Sequence, residues 1–241
     1  SPAGFAKAKR VMNLQDVLVA LGDGVGRRSS QHFSLAIFGT PSATDAWGLR
    51  FEGHHLTLSV TLVGDDVVSV TPSSFSCNPN DVPVGAARGT TALIEEEDLA
   101  RALYADLKGG AAKRALIQER AYRNIMATAG RETLHKTPEG VPLADLTSSQ
   151  ADLVWRLVDV YASEPWAGDL GAAQAARVRA GDRAAVHFAW AGGNEADTPF
   201  YYRITGPTFA IELGAVDAKA QHLHTIYHDL ERTLGRHVLP G

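Results

Sequence analysis

Residues 51–60, FEGHHLTLSV, combine the clearest strand pattern of the chain with its one pair of adjacent histidines. From Leu56 onward, large apolar residues alternate with Thr and Ser over the stretch LTLSVTL. A period of two residues is typical of a strand that buries one face and exposes the other. We therefore expect Leu56, Leu58 and Val60 to be buried together on one face of a sheet.

The two histidines stand at the start of this strand. Neighbouring side chains of an extended chain point to opposite faces. His54 would thus share the leucine face with Glu52, and His55 would share the face of the threonines and serines. Either histidine could contribute to a site on its own face, and the pattern leaves the choice between them open.

The composition indicates a soluble globular protein. Its 45% of hydrophobic residues can form a large core, and 23 basic against 27 acidic residues give a net charge of −4. This charge does not match the basic footprint of a nucleic-acid-binding protein. No stretch has the roughly 18 uninterrupted apolar residues that cross a bilayer. The first residues, SPAGFAKAKR, lack the apolar part of a secretion signal, so such a signal is either absent or already removed, in which case the protein is exported.

The other motifs give weaker evidence of a functional site. Cys77 is the one cysteine, which excludes an intrachain disulfide and a zinc site built from cysteines, and we interpret it as a packed side chain rather than a nucleophile. The glycine-rich stretch GDGVG at 22–26 follows a predicted helix instead of a strand, so we predict no nucleotide cofactor. The chain contains no G-x-S-x-G motif of a serine hydrolase.

Helices and strands are predicted in blocks. We predict a helix from Asn13 to Gly22 with Asn13 as its cap, a helix starting at the acidic run EEED (95–98), a helix over 111–126, a helix over 146–162 with a Thr147/Gln150 capping box, and a last helix from Gln221 to Leu234. Strands are predicted at 33–39, 47–63, 67–75, 184–193, 199–207 and 208–215. Because helices and strands do not alternate strictly, we expect one α+β domain over 1–241, with a helical lead-in at 1–32 and a mainly antiparallel sheet covered by helices on one face.

Histidine clustering is the strongest functional signal. Five of the nine histidines lie in EGHH (52–55) and HLHTIYHD (222–229), at opposite ends of the chain. A typical metal site takes three or four ligands from different elements, and imidazole is the commonest of them. If the second cluster is extended, His222 and His224 face the same side and chelate one ion together with a histidine of the first. Glu52 would then be a carboxylate ligand or general base.

Three alternatives remain beside that site. If the second cluster is helical, His224 and His228 are the pair on one face, although Thr225 stands where a zincin motif needs Glu. The histidines could instead only cap strands and bond to the backbone. A third possibility is a metal-free pocket for a small anion, in which the histidines act with Arg203 and Tyr201, which share one face of a predicted strand.

Several segments resemble an uncharacterised family, known as domain of unknown function 3500. They include WGLRFEGHHLTLSV, PFYYRITGPTFAIEL and QHLHTIYHDL, and the resemblance runs from about residue 33 to the end. It implies no reaction. It does imply that His54, His55, His222 and His224 belong to the family pattern, while His228 stands where relatives have Arg, which favours the His222/His224 chelate. Relatives are longer at the amino end, which implies a shortened or processed form here.

We therefore predict a metal-binding protein, most simply a metal-dependent enzyme. His54, His55, His222 and His224 are the predicted ligands of Zn²⁺ or copper, and Glu52, Tyr201 and Arg203 are the predicted catalytic residues. The expected partners are a metal ion and a small-molecule ligand.

Overall fold

The computed structural model describes residues 1–128, 130–135 and 137–239. The helices are α1 (Pro2–Ala20), α2 (Ile94–Asp106), α3 (Gly109–Ala115), α4 (Ser148–Ala162) and α5 (Gly168–Arg179). The strands are β1 (Phe33–Phe38), β2 (Ala46–Gly53), β3 (Leu56–Val63), β4 (Asp66–Ser69), β5 (Ser73–Phe75), β6 (Leu116–Gln118), β7 (Val141–Pro142), β8 (His187–Gly192), β9 (Phe200–Thr205), β10 (Phe209–Ala215) and β11 (Leu223–Asp229). Within this part of the chain, no helix is both long and apolar enough to span a bilayer.

All eleven strands belong to one sheet. Its main order is β1-β2-β3-β5-β11-β10-β9-β8-β6, with β4 paired to β3 and β7 paired to β8. Every pairing is antiparallel except that of β6 with β8. The predicted α+β fold with a mainly antiparallel sheet is confirmed, and α1 supplies a helical lead-in within residues 1–32.

The helices cover one face of the sheet. Tyr161 of α4 meets Tyr202 of β9 through their hydroxyls at 2.6 Å, and Tyr104 of α2 stacks on Trp190 of β8 at 4.6 Å between ring centroids. Side chains alternate along a strand, so Tyr201 and Arg203 of β9 point to the opposite face. That second face is polar and lies against the connection between β6 and β7.

The predicted last helix, 221–234, is wrong. Residues 223–229 of this range form β11, which lies between β5 and β10 and is buried along nearly its whole length. A strand covered on both faces has apolar residues on both, so its sequence does not alternate. The apolar residues of this segment therefore have the spacing of a helix face, at Leu223, Ile226, Tyr227 and Leu230.

The helix predicted over 111–126 is also wrong beyond its first turns. The chain leaves α3 at Ala115 and pairs with β8 through Leu116 and Gln118. Residues 119–128 then cross the polar face of the sheet, where the amides of Met126 and Ala127 bind Glu212 of β10. Helix α5 has no counterpart among the predicted helices. The first helix begins earlier than predicted, because Ser1 rather than Asn13 is its cap and accepts a hydrogen bond from the Gly4 amide at 2.9 Å.

The helix over 94–106 and the capping box of α4 are confirmed, since the Thr147 hydroxyl accepts from the Gln150 amide and the Gln150 side chain accepts from the Thr147 amide. The predicted strand 47–63 is instead a hairpin of β2 and β3, turning at His54 and His55. Leu56 is buried, but Leu58 and Val60 are half-buried. The alternating pattern predicted burial of only one face of β3, but the other face is covered too. On that face Thr61 packs against Gly235 near the end of the chain.

Candidate metal centre

Sheet topology brings the two histidine clusters together. Leu56 of β3 pairs with Phe75, and Cys77, just after β5, exchanges two backbone hydrogen bonds of 2.9 Å with Leu223 of β11. Because β3 and β11 both run antiparallel to the segment between them, they run parallel to each other. His55 and His222 immediately precede these strands, so both stand at the same end of the sheet.

Three imidazoles converge there. His55 Nε2 lies 3.0 Å from His222 Nε2, and His222 Nε2 lies 3.0 Å from His224 Nε2. One ring nitrogen from each of the three residues lies within 4.8 Å of the others, which is a group able to hold a metal ion. Tetrahedral zinc with N–Zn bonds of about 2.0–2.1 Å places its ligand nitrogens roughly 3.3 Å apart. The predicted convergence of the clusters is confirmed.

His54 and His55 occupy a turn, and the alternation predicted for them does not apply. Gly53 pairs with Leu56 across the two-residue connection, and His55 has φ of 70°, in the left-handed region. The two rings lie against each other, tilted by 32° and with centroids 3.6 Å apart, instead of facing opposite sides. Of the pair, His55 points into the three-histidine group, and His54 lies outside it.

His224 is oriented by Asn124. The Asn124 Oδ1 atom accepts the Ile125 amide at 2.8 Å, which identifies this atom as the oxygen. It also lies 2.8 Å from His224 Nδ1, so this nitrogen must donate. The lone pair of His224 then sits on Nε2, the atom that faces the other imidazoles. A hydrogen bond to the outer ring nitrogen is the usual support of a metal-ligating histidine.

Gln15 of α1 orients His54 in the same way. Its side-chain amide donates to the Val11 carbonyl at 3.1 Å, and its Oε1 accepts from His54 Nδ1 at 2.7 Å. The Nε2 of His54 therefore carries a lone pair as well. His54 is exposed, and its ring lies against the ring of His55.

The local environment disfavours protonation of these rings. Burial is the main cause that lowers the pKa of His55 to about 2 and the pKa of His224 to about 4. The His54 residue is exposed, but its ring is partly covered where it lies against His55, and this burial is the main cause that lowers its pKa to about 4. Neighbouring imidazoles add to each of these effects, and burial also lowers the pKa of His222. The cluster is thus neutral across the physiological range, the state in which imidazole binds metals.

Neutral imidazoles cannot satisfy this geometry by themselves. His222 Nε2 faces two ring nitrogens at hydrogen-bond distance, and His224 Nε2 bears a lone pair. A proton on His222 Nε2 can be directed well at only one of these two neighbours, and without that proton its lone pair faces the lone pair of His224. His55 Nδ1 is buried without a hydrogen-bond partner, so moving its proton brings no relief. A cation between the three Nε2 atoms removes this conflict.

A buried carboxylate fixes the residues around Asn124. We call residues 119–128, which cross the polar face of the sheet, the strap. Glu212 of β10 accepts the strap amides of Met126 and Ala127 at 2.7 and 2.8 Å. It also accepts from the Tyr201 hydroxyl at 2.9 Å and from His135 Nε2 at 3.0 Å. Although burial raises the pKa of Glu212, these donors outweigh it and the pKa is lowered, so the carboxylate stays ionised.

The three predicted catalytic residues lie outside the histidine group. Tyr201 faces His224 across Gly214, which pairs with both, but its hydroxyl is used by Glu212. Arg203 is buried and forms an ion pair with Glu139. Glu52 lies near the end of β2, and its one ion pair among the described residues is with Arg50 at 3.8 Å. A catalytic role for these residues stays a prediction.

The other two candidate residues, His228 and Cys77, are both fully buried. His228 is buried on β11 and donates from Nε2 to the Ala127 carbonyl at 2.7 Å, so the helical His224/His228 pair is wrong. Burial raises the pKa of the Cys77 thiol well above its usual value, as expected for a packed side chain.

Sequence reasoning missed the residues that support the ligands. Gln15 and Asn124 gave no signal, because their partners are distant in the chain and single amides have no pattern. Glu212 did give one: it stands between Ile211 and Leu213 in an otherwise apolar strand. An acid in such a position is seldom buried unless several donors surround it.

No curated protein and no solved structure shows significant similarity to this chain. One family model does match, under the description "Protein of unknown function (DUF3500)", and the match covers residues 1–235. It includes both histidine clusters and also α1, which the sequence resemblance from residue 33 did not reach. The chain therefore belongs to the DUF3500 family.

Proposed function

We propose that the protein is a metal-dependent enzyme whose single ion, Zn²⁺ or copper, is held by the Nε2 atoms of His55, His222 and His224. The observation that carries the proposal is the contact of His222 Nε2 with two other ring nitrogens, each at 3.0 Å. Without a cation, at least one of these two contacts has no well-directed proton between its nitrogens. With one, each nitrogen gains a ligand bond.

The number of ligands supports catalysis over a purely structural role. Structural zinc sites are closed by four protein ligands, whereas catalytic sites use three and keep one position for an exchangeable group. The three-histidine group is half-buried, and exposed His54 stands beside it with an unprotonated Nε2. That arrangement leaves access for a small molecule at the ion. The reaction class depends on which metal is bound, because hydrolysis suits zinc and redox chemistry needs copper or iron.

Metal titration of untagged protein tests the proposal. We expect one Zn²⁺ or Cu²⁺ per chain by calorimetry, with binding lost in His222→Ala. The matched control is His237→Ala, which removes an exposed histidine outside the three-histidine group and should leave the stoichiometry and affinity of metal binding unchanged. If wild type and His222→Ala both bind no ion under saturating Zn²⁺ and Cu²⁺, the centre does not exist, and the metal-free anion pocket becomes the better hypothesis.

A further inference from the structure

Strand β1 forms one edge of the sheet, and this edge is open. It pairs with β2 on one side through six consecutive residue pairs without a register shift. In the part of the chain that the structure describes, no backbone hydrogen bond reaches β1 from any other segment. In an antiparallel pair every second residue directs its N–H and C=O away from the neighbouring strand. The main chain of β1 therefore presents a row of unpaired donors and acceptors.

The opposite edge of the sheet is blocked. It is formed by β6, which has three residues and pairs with β8 through a shifted register. Short strands, bulges, prolines and charged side chains are the usual devices that keep an edge from pairing with another chain. Strand β1, with the sequence FSLAIF, has six residues and none of these devices.

Large apolar side chains stand in water along β1. Leu35 is 62% exposed and Ile37 is 55% exposed. They lie opposite Phe51 and Leu49 of β2, and directly opposite residues share one face of a sheet. Phe33 belongs to the same face and stacks on Phe51 with 5.8 Å between ring centroids. An apolar face thus continues to the open edge and ends there, as is typical of an interaction surface.

The charge pattern favours a second copy of this chain as the partner. Between Ser29 and Thr44 the chain contains no Lys, Arg, Asp or Glu. A partner that is recognised by its charge finds no opposite charge on this stretch, whereas two copies can pair here without bringing like charges together.

The side-chain pattern of β1 is also self-complementary. Its apolar alternation reads the same in both directions, so an antiparallel copy matches it face for face. A register centred on Ala36 sets Leu35 opposite Ile37 of the copy. Such a pairing uses the same edge of both chains and closes as a two-fold dimer, while pairing of β1 with the edge at β6 would continue as an open fibre.

We infer that the protein forms a two-fold dimer in which β1 pairs antiparallel with β1 of a second copy and joins the two sheets. The inference is independent of the proposed metal centre. Phe33 pairs with Gly53, the residue before the histidine turn, so the histidine group lies at the start of β1. Antiparallel pairing therefore sets the two histidine groups at opposite ends of the shared strand pair.

Sedimentation analysis of untagged, metal-free protein between about 1 and 100 μM tests the dimer. The mass of the wild type should rise from one chain to two and stop there. The double variant Leu35→Lys and Ile37→Lys sets like charges opposite each other and should raise the dissociation constant at least about tenfold. The matched control is Val84→Lys, which makes the same kind of change at a 52% exposed residue in a loop and should match wild type within about twofold.

Hydrogen exchange of the wild type locates the interface without a substitution. As the protein concentration passes through the dissociation constant, amides of β1 should exchange more slowly, because those that point outward gain a partner. Circular dichroism of the double variant checks its fold, and this exchange measurement decides the matter if the variant is unfolded.

The results can contradict the dimer in several ways. A mass of one chain up to about 100 μM, growth beyond two chains, a folded double variant that dimerises like wild type, or exchange in β1 that does not change on dimerisation would each overturn it. The folded double variant should bind Zn²⁺ as wild type does, so loss of the dimer leaves the metal centre standing. Absence of metal binding, in turn, leaves the dimer standing.

Discussion

Replacing Glu212 by Gln should release the strap from the sheet. Each carboxylate oxygen accepts one strap amide and one side-chain donor, Met126 N with Tyr201 on one and Ala127 N with His135 on the other. Gln offers a single acceptor oxygen, so whichever way it is oriented, its NH₂ group faces one of the two strap amides.

The expected loss in the free energy of unfolding follows from these lost hydrogen bonds. A buried amide without a partner costs about 1–3 kcal/mol, and a lost hydrogen bond to a charged group about 1.5–3 kcal/mol. Since Glu212 is fully buried, water cannot replace the lost acceptor, and we expect the free energy of unfolding to fall by about 3–5 kcal/mol.

Urea denaturation followed by circular dichroism measures this loss. The matched control is Glu119→Gln, which neutralises an exposed acid of the strap and should cost less than about 0.5 kcal/mol. Because Asn124 lies in the strap, Glu212→Gln should also weaken Zn²⁺ binding about tenfold or more. A stability loss below about 1 kcal/mol, or an equal loss in the control, would refute the view that this carboxylate anchors the strap.

Further expectations concern the ligands, the pH range and the thiol. Asn124→Ala should lower Zn²⁺ affinity about 10–100-fold by freeing the His224 ring, and Asn124→Asp, which keeps the acceptor, should largely restore it; equal affinity in all three proteins would contradict this role. Because the pKa values of His55 and His224 are lowered to about 2 and about 4, protons should hardly compete with the metal. The Zn²⁺ affinity should therefore change less than about tenfold between about pH 7.5 and 5.5, whereas a site of three imidazoles with ordinary pKa values would lose up to roughly 10³-fold in Zn²⁺ affinity over the same interval. The stabilisation by Glu212, whose folded-state pKa is lowered, should be complete above its unfolded pKa and disappear as the pH falls through the folded value, so the difference between wild type and Glu212→Gln should shrink in acid denaturation series. Cys77→Ala should keep metal binding within about threefold and cost roughly 1 kcal/mol in stability, and complete loss of binding in the folded variant would assign the thiol a direct role.

Local patterns predicted much of the fold. The alternation in β3, the turn residues between strands and the Thr147/Gln150 capping box each depend on a few neighbouring residues, and each led to the right element. Prediction failed at β11, whose apolar residues fall at helical spacing. Residues 223–229 are covered on both sides of the sheet, so their apolar residues show no strand period.

The candidate site was predictable in its residues but not in its geometry. Clustering singled out five histidines, and the three that form the group, His55, His222 and His224, are among them. Their convergence depends on the pairing of Cys77 with Leu223, a long-range contact for which the sequence contains no local signal. The choice of His55 over His54 depends on the turn at these two residues, which interrupts the predicted continuous strand and brings both rings together.

Anomalous diffraction at the zinc absorption edge, from crystals of untagged protein grown with Zn²⁺, tests the central claim most directly. We expect one strong peak per chain, about 2.0–2.1 Å from the Nε2 atoms of His55, His222 and His224. A peak bound elsewhere, or no peak between these three rings at saturating Zn²⁺, would contradict a metal centre built from the two ends of the chain.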